Sequence, residues 1–225
     1  MKVYISIILI LISIVACNPK VNFKSPMPPE VEEINTFPDE YCGLYFFESD
    51  SSRVMVTQDM ITTETLITYK TPMKRVEESE NCAIVDGGIH IIGRKECFAF
   101  DYINEDTILV KITETDTIFK FSENQVAKID DKNIYLNYMG EKNEWMTFVM
   151  RPIKNDTYNI YIINIPNKEK NVRSITSNYT SRMRKDSTII YTIDPSPREF
   201  KKTLRRKYLK LYEKVIPVNF EIQHH

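Results

Sequence analysis

The sequence predicts a mainly β fold: an antiparallel barrel or sandwich of about ten strands with one C-terminal α-helix. Three observations carry that reading. Apolar and polar residues alternate in short runs from Tyr41 to Ile193. Polar, turn-forming clusters interrupt those runs. One segment near the C-terminus switches from period two to helical spacing.

The strands follow from the alternation, because successive side chains of an extended chain point to opposite faces. Phe98, Phe100 and Tyr102 share one face, with Cys97, Ala99 and Asp101 on the other. Ile134, Leu136 and Tyr138 repeat the arrangement, as do Met146, Phe148 and Met150. The runs Tyr158 to Ile165 and Thr188 to Ile193 are rich in β-branched and aromatic residues, which pack well on a pleated surface. Asp86-Gly87-Gly88, Asn104-Glu105-Asp106, Asp130 to Asn133, Gly140 to Asn143 and Lys154-Asn155-Asp156 read as turns.

The helix is expected over residues 197–215. Ser196 supplies an N-cap, Pro197 the first helical position and Glu199 the third, a capping box. Phe200, Leu204, Tyr208, Leu211 and Val215 then recur as one apolar stripe, and Pro217 ends it. Residues 198–214 hold eight Lys or Arg against Glu199 and Glu213, leaving +6, so the rest of the chain carries −7 within a total of −1. Lys201, Arg205 and Lys207 are therefore candidates for contact with an anionic surface. A solvated face balancing an acidic β-domain is the competing reading.

The N-terminus has its own logic. Lys2 precedes a nearly unbroken apolar run from Val3 to Ala16, too short to span a bilayer but suited to a signal peptide. The run ends Ile14-Val15-Ala16-Cys17, which resembles the lipobox of bacterial lipoproteins. The resemblance implies a signal peptide over 1–16 and acylation of Cys17, which would hold the protein to a membrane. Residues 17–40 include Pro19, Pro26, Pro28, Pro29 and Pro38, a density that prevents helix and suggests an extended tether. Removing 16 residues from 225 leaves 209, and residues 41–225 are expected to form a single β-rich domain.

Three cysteines remain beyond Cys17. Cys82 and Cys97 flank an expected hairpin and are the preferred disulfide pair. Cys42 bridged to either, or three reduced thiols, stay open.

Chemistry is sparse. Five glycines leave little room for glycine-rich nucleotide loops. Gly88 to Lys95 has phosphate-loop spacing, but Arg94 and Lys95 stand where lysine and Ser/Thr are needed. His90 has no neighbouring partner in sequence that would make it a catalytic base, and His224-His225 alone make no metal site. Asp130-Asp131 and Glu77-Glu78 lack the alternating ladder of a calcium loop. No catalytic residue, cofactor or metal is expected, and a net charge of −1 gives no reason to expect nucleic acid. Thirteen tyrosines, eleven phenylalanines and Trp145 offer binding surface instead, with Tyr135 and Tyr161 on faces opposite the apolar ones.

With these features assembled, the chain resembles the small lipoproteins of Bacteroidota, through the lipobox and the stretch Tyr191 to Ser196 followed by Glu199-Phe200. That resemblance brings no activity. It implies an outer-membrane anchor facing the periplasm, since Asn18 to Lys24 lacks the acidic run often found in surface-exported members; surface exposure is the alternative. Tyr41-Cys42-Gly43-Leu44-Tyr45 is similar to the start of lipocalin-like barrels. Three roles are compatible with this: a non-catalytic interaction or structural module with an envelope protein partner, a carrier of a small hydrophobic ligand, and an envelope hydrolase.

Overall fold

The computed structural model describes residues 21–85, 87–93, 97–154, 157–184 and 188–218. Along the chain lie β1 (Val21–Phe23), β2 (Glu33–Ile34), β3 (Gly43–Phe47), β4 (Arg53–Val56), β5 (Met60–Pro72) and α1 (Met73–Glu77). Next come β6 (Cys82–Val85), β7 (Gly88–Ile91), β8 (Cys97–Asn104), β9 (Thr107–Lys120), β10 (Gln125–Asp130) and β11 (Asn133–Met139). The last are β12 (Trp145–Pro152), β13 (Tyr158–Ile163), α2 (Glu169–Arg173), β14 (Tyr179–Met183), β15 (Ile189–Ile193), α3 (Pro197–Thr203) and β16 (Leu209–Pro217).

The mainly β, antiparallel expectation holds. Sixteen strands form one sheet in the order β14-β15-β1-β12-β13-β16-β3-β4-β5-β9-β8-β7-β6, with β11, β10 and β2 branching from β12. β1 and β15 run parallel, Val21 beside Tyr191 and Phe23 beside Ile193. The sheet curls without closing, which makes the fold sandwich-like and not a barrel.

Three apolar clusters follow from the curl. The largest includes Phe23, Tyr135, Trp145, Val149, Ile193 and Phe200, and lies between α2, α3 and one face of β11 and β12. The second fills the inside of the curl with Phe37, Tyr45, Ile61, Phe119, Leu136 and Tyr158. Ile134, Tyr135 and Leu136 are all buried, since β11 is covered on both faces. A third, small cluster of Val76, Ile89, Phe98, Ile108 and Val110 sits under α1, where the long β5–β9 ribbon leaves the main body.

Two expectations are corrected. The helix starts as read, with Ser196 N–H and Oγ donating to Glu199 Oε2 at 2.9 and 3.0 Å, but it ends at Thr203 and not at 215. Leu209–Pro217 is strand, bonded to β13 on one edge and β3 on the other. Val215, placed by spacing on a helix stripe, is buried from a strand. Hydrogen bonding along both edges of β16 outweighs a helical pattern that intrinsic propensity favours only weakly.

The second correction concerns the proline-rich segment. Residues 17–20 of the expected tether lie outside the described residues, but from Val21 onward the segment is no free tether and belongs to the domain. Val21, Phe23, Met27 and Phe37 are almost fully buried. Buried Asn137 clasps the segment like a missing strand. Its Oδ1 accepts from Met27 N–H at 2.9 Å and from Thr147 Oγ1 at 2.7 Å. Its Nδ2 donates to Met27 O at 2.8 Å and Val126 O at 3.2 Å. Lys128 Nζ donates to Pro28 O at 3.0 Å, and burial lowers the pKa of that amine. Proline forbade a helix here, but an extended chain can still be laid on a sheet.

Candidate functional site

Where the clasped segment meets α3, the surface folds into a groove of about 490 Å³. Its walls are Pro28 to Val31, the β10–β11 turn and the helix residues Pro197, Lys201 and Leu204. Tyr135 and Phe200 line it, their rings 5.8 Å apart and edge-on. Burial, with a further push from Asp130, raises the Tyr135 hydroxyl to a pKa of about 12, so it stays protonated and serves only as a neutral polar group. Glu30, Asp130 and Asp131 contribute acidic lining and Lys201 one cation.

A shallower groove of about 320 Å³ shares Pro29, Glu30 and Pro197 with the first and extends toward Thr176, Asn178 and Asp194. Its best candidate acid is already in use. Glu199 accepts from Ser196 and from Thr176 Oγ1 at 3.1 Å. The Ser196 backbone bond is the main cause of its lowered pKa. The grooves therefore offer shape and weak charge, and the Ser196 and Thr176 hydroxyls that reach Glu199 there are taken up in holding the helix N-terminus. Among the described residues, no cluster of three His, Cys, Asp or Glu is placed to hold a metal ion.

The strongest polar constellation lies elsewhere, at the start of β12. Glu144 accepts a bidentate pair from Arg182, Nε to Oε1 at 3.2 Å and Nη2 to Oε2 at 2.7 Å. Thr192 Oγ1 adds a bond at 2.5 Å and Asn22 Nδ2 one at 2.7 Å. Burial works against the charged carboxylate, but the Arg182, Thr192 and Asn22 bonds together with the Arg182 charge outweigh it, and the pKa is lowered. With Arg182 and Glu144 side chains 24% and 11% exposed, this ion pair is better shielded than the other ion pairs among the described residues, such as Lys74–Glu78 at 80% and 68%. It ties β1, β14 and β15 to β12. Sequence reasoning missed it, because positions 22, 144, 182 and 192 share no local spacing.

The residues singled out from sequence are dispersed. Cys17 lies outside the described residues. Cys82 and Cys97 are free, and the expected disulfide between them is not formed. β7 runs between their strands, with Cys82 opposite Ile91 and Cys97 opposite His90. Adjacent residues of β7 face opposite ways, so the two thiols point to different faces, about two strand spacings apart. Cys42 is also free, with Sγ 3.6 Å from Pro38 O.

His90 is half-buried, with Ala83 on one side and Cys97 on the other, and the register brings no carboxylate beside it. The phosphate-loop lookalike begins as strand at Gly88, and Arg94 and Lys95 lie outside the described residues. Tyr135 and Trp145 are core residues, whereas half-buried Tyr161 sits under the Arg151 guanidinium, 5.8 Å from its ring centroid.

Lys201, Arg205 and Lys207 are exposed as expected but do not share a helix face. Lys201 is on α3, while Arg205 and Lys207 belong to the turn beyond it, where Lys207 Nζ lies 4.6 Å from the centre of the Tyr208 ring. Lys202, beside them, is held by Ile175 O at 2.9 Å.

Compared with known proteins, the chain matches no family model, no curated protein and no solved structure. Among the described residues, no helix is long and apolar enough to cross a membrane.

Proposed function

We propose that this protein is a lipid-anchored module of the cell envelope that binds an envelope protein partner and performs no catalysis. The observation that carries the reading is the lobe built from α1, β6, β7, β8 and the outer half of the β5–β9 ribbon. Leu66, Tyr69, Ile84, Val85, Ile92, Tyr102 and Ile103 are all exposed there. These are seven of the thirteen large apolar side chains that are exposed among the described residues, on the smallest of the three cores. Single exposed apolar residues are ordinary, but here Tyr69, Ile84 and Tyr102 share one face of the lobe's sheet, with Leu66 and Val85 on the other, and that concentration is the pattern of a contact surface.

The carrier reading receives less support, because rings from Phe37, Phe119, Phe121 and Tyr138 interlock inside the curl where a ligand would sit. The hydrolase reading receives less still, since Glu199 and the Ser196 and Thr176 hydroxyls that it accepts from are committed to the helix cap. We place the protein on the outer membrane facing the periplasm, held by acyl chains on Cys17.

A photo-reactive residue in place of Tyr102 should give one discrete cross-linked adduct in intact cells. Tyr69→Asp combined with Ile84→Asp, both on the face that carries Tyr102, should remove it. Absence of any adduct at the lobe would contradict the reading. Native mass spectrometry should find no stoichiometric lipid beyond the covalent acyl chains; a bound one would favour the carrier.

A further inference from the structure

The folded proline-rich segment changes what an anchor at Cys17 would do. Val21 pairs with Tyr191 of β15. Ile189, at the outer end of that strand, lies two residues away, roughly 7 Å along the strand at ~3.3 Å per residue. Four residue steps separate Cys17 from Val21 and span at most about 14 Å when fully stretched. That reach is shorter than the radius of gyration of about 16 Å expected for a domain of this size. An acylated Cys17 is thus confined to the neighbourhood of the start of β15 and cannot swing to the far side.

The facing ends of β14 and β15 have an unusual surface. Tyr179, Ser181 and Met183 on β14 stand opposite Ile193, Tyr191 and Ile189 on β15. Along the β15 row, exposure rises from 0% at Ile193 to 7% at Tyr191 and 43% at Ile189, and Met183 reaches 72%. The apolar face of the sheet therefore overruns the core beneath it. Two exposed cations flank the overhang. Arg184 follows Met183 directly, its N–H donating to Thr188 O at 2.8 Å. Lys168 follows Asn167, whose Nδ2 donates to Ile189 O at 2.6 Å. Behind these ends, the Arg182–Glu144–Thr192–Asn22 network fixes both strands to β12 and β1. Apolar side chains rimmed by cations on a rigid support match a lipid–water interface with anionic head groups.

We infer that Met183 and Ile189, flanked by Arg184 and Lys168, seat on the anionic lipid surface that holds Cys17. The inference rests on the proposed lipid anchor and adds the orientation it enforces: the end of β14 at Met183 and the start of β15 at Ile189 face the membrane, and the lobe at the opposite end of the strand order is carried away from it. Arg205 and Lys207, the basic residues expected from sequence to meet lipid, are the rival surface.

The test uses the full-length protein, matured in cells and reconstituted into vesicles of phosphatidylethanolamine and phosphatidylglycerol carrying bromine in their acyl chains. Tryptophan is introduced separately as Met183→Trp, Arg205→Trp and Tyr102→Trp over the constant background of buried Trp145. Met183→Trp should shift to shorter emission wavelength and be quenched several-fold more than Tyr102→Trp. A co-floating protein whose Met183→Trp is quenched no more than Tyr102→Trp overturns the inference while leaving the anchor intact, whatever Arg205→Trp does. If the same preparation carries no fatty-acid label on Cys17, the anchor fails, and the inference falls with it.

Discussion

The two ends of this sheet are built from similar strands but supported very differently. The end carrying β1, β14 and β15 packs against a cluster of fifteen buried residues, closed by α2 and α3 and locked by Asn137 and Glu144. The end carrying β6, β7 and β8 has a cluster of five, one short helix above it and a long ribbon connecting it to the body. Hydrophobic stabilisation scales with the apolar area removed from water, so the first end is the rigid base and the second the part that opens first. We read that difference as a division of labour, with the base near the membrane and the looser, apolar-surfaced lobe available to a partner.

Mutations separate the two ends. Phe200→Ala removes a ring that contacts both Phe23 and Tyr135. It should lower global stability by about 3–5 kcal/mol in a urea titration. Asn137→Ala should cost about 2–3 kcal/mol, because it leaves Met27 N–H and O buried without partners. A loss below about 1 kcal/mol in either would mean that the proline-rich segment is not part of the cooperative base.

Phe98→Ala should act differently. It should speed amide exchange in β6, β7, β8 and the outer half of β5 and β9, while the global urea midpoint moves little. A global shift as large as that of Phe200→Ala would show that the two ends unfold as one unit.

The Glu144 network gives a pH test. Its carboxylate titrates lower in the folded protein than in the unfolded chain. The stability it contributes is therefore complete above the unfolded value and is lost as pH falls through the folded one. Arg182→Ala should cost about 1–3 kcal/mol at neutral pH, and the penalty should shrink below the ordinary glutamate range. A penalty that does not change with pH would contradict the assigned role. The smallest effect belongs to Lys74→Ala, which breaks the exposed Lys74–Glu78 pair. It should change stability by less than about 0.5 kcal/mol.

The fold class was legible in residues such as Ile134, Leu136 and Tyr138, because a sheet with buried faces must write its period into the sequence. Three features were not. β5 and β9 run 13 and 14 residues. Their outer parts are open to water, so Thr, Glu and Lys replace the apolar half of the pattern. The run from Tyr208 to Val215 satisfies helical spacing by coincidence, and only the free edges of β13 and β3 decide for strand. Proline density in residues 17–40 hid Val21, Phe23, Met27 and Phe37, whose burial depends on Asn137, far along the chain. The candidate site was the least legible part, since its groove and its Glu144 network join positions that only the fold brings together.

The proposed orientation depends on one covalent attachment, the acylation of Cys17. Growing cells with a radiolabelled fatty acid and comparing the protein with its Cys17→Ala variant tests that bond directly. The protein should carry label that survives denaturation, and the variant should carry none. Equal labelling of both, or none on either, would contradict that attachment.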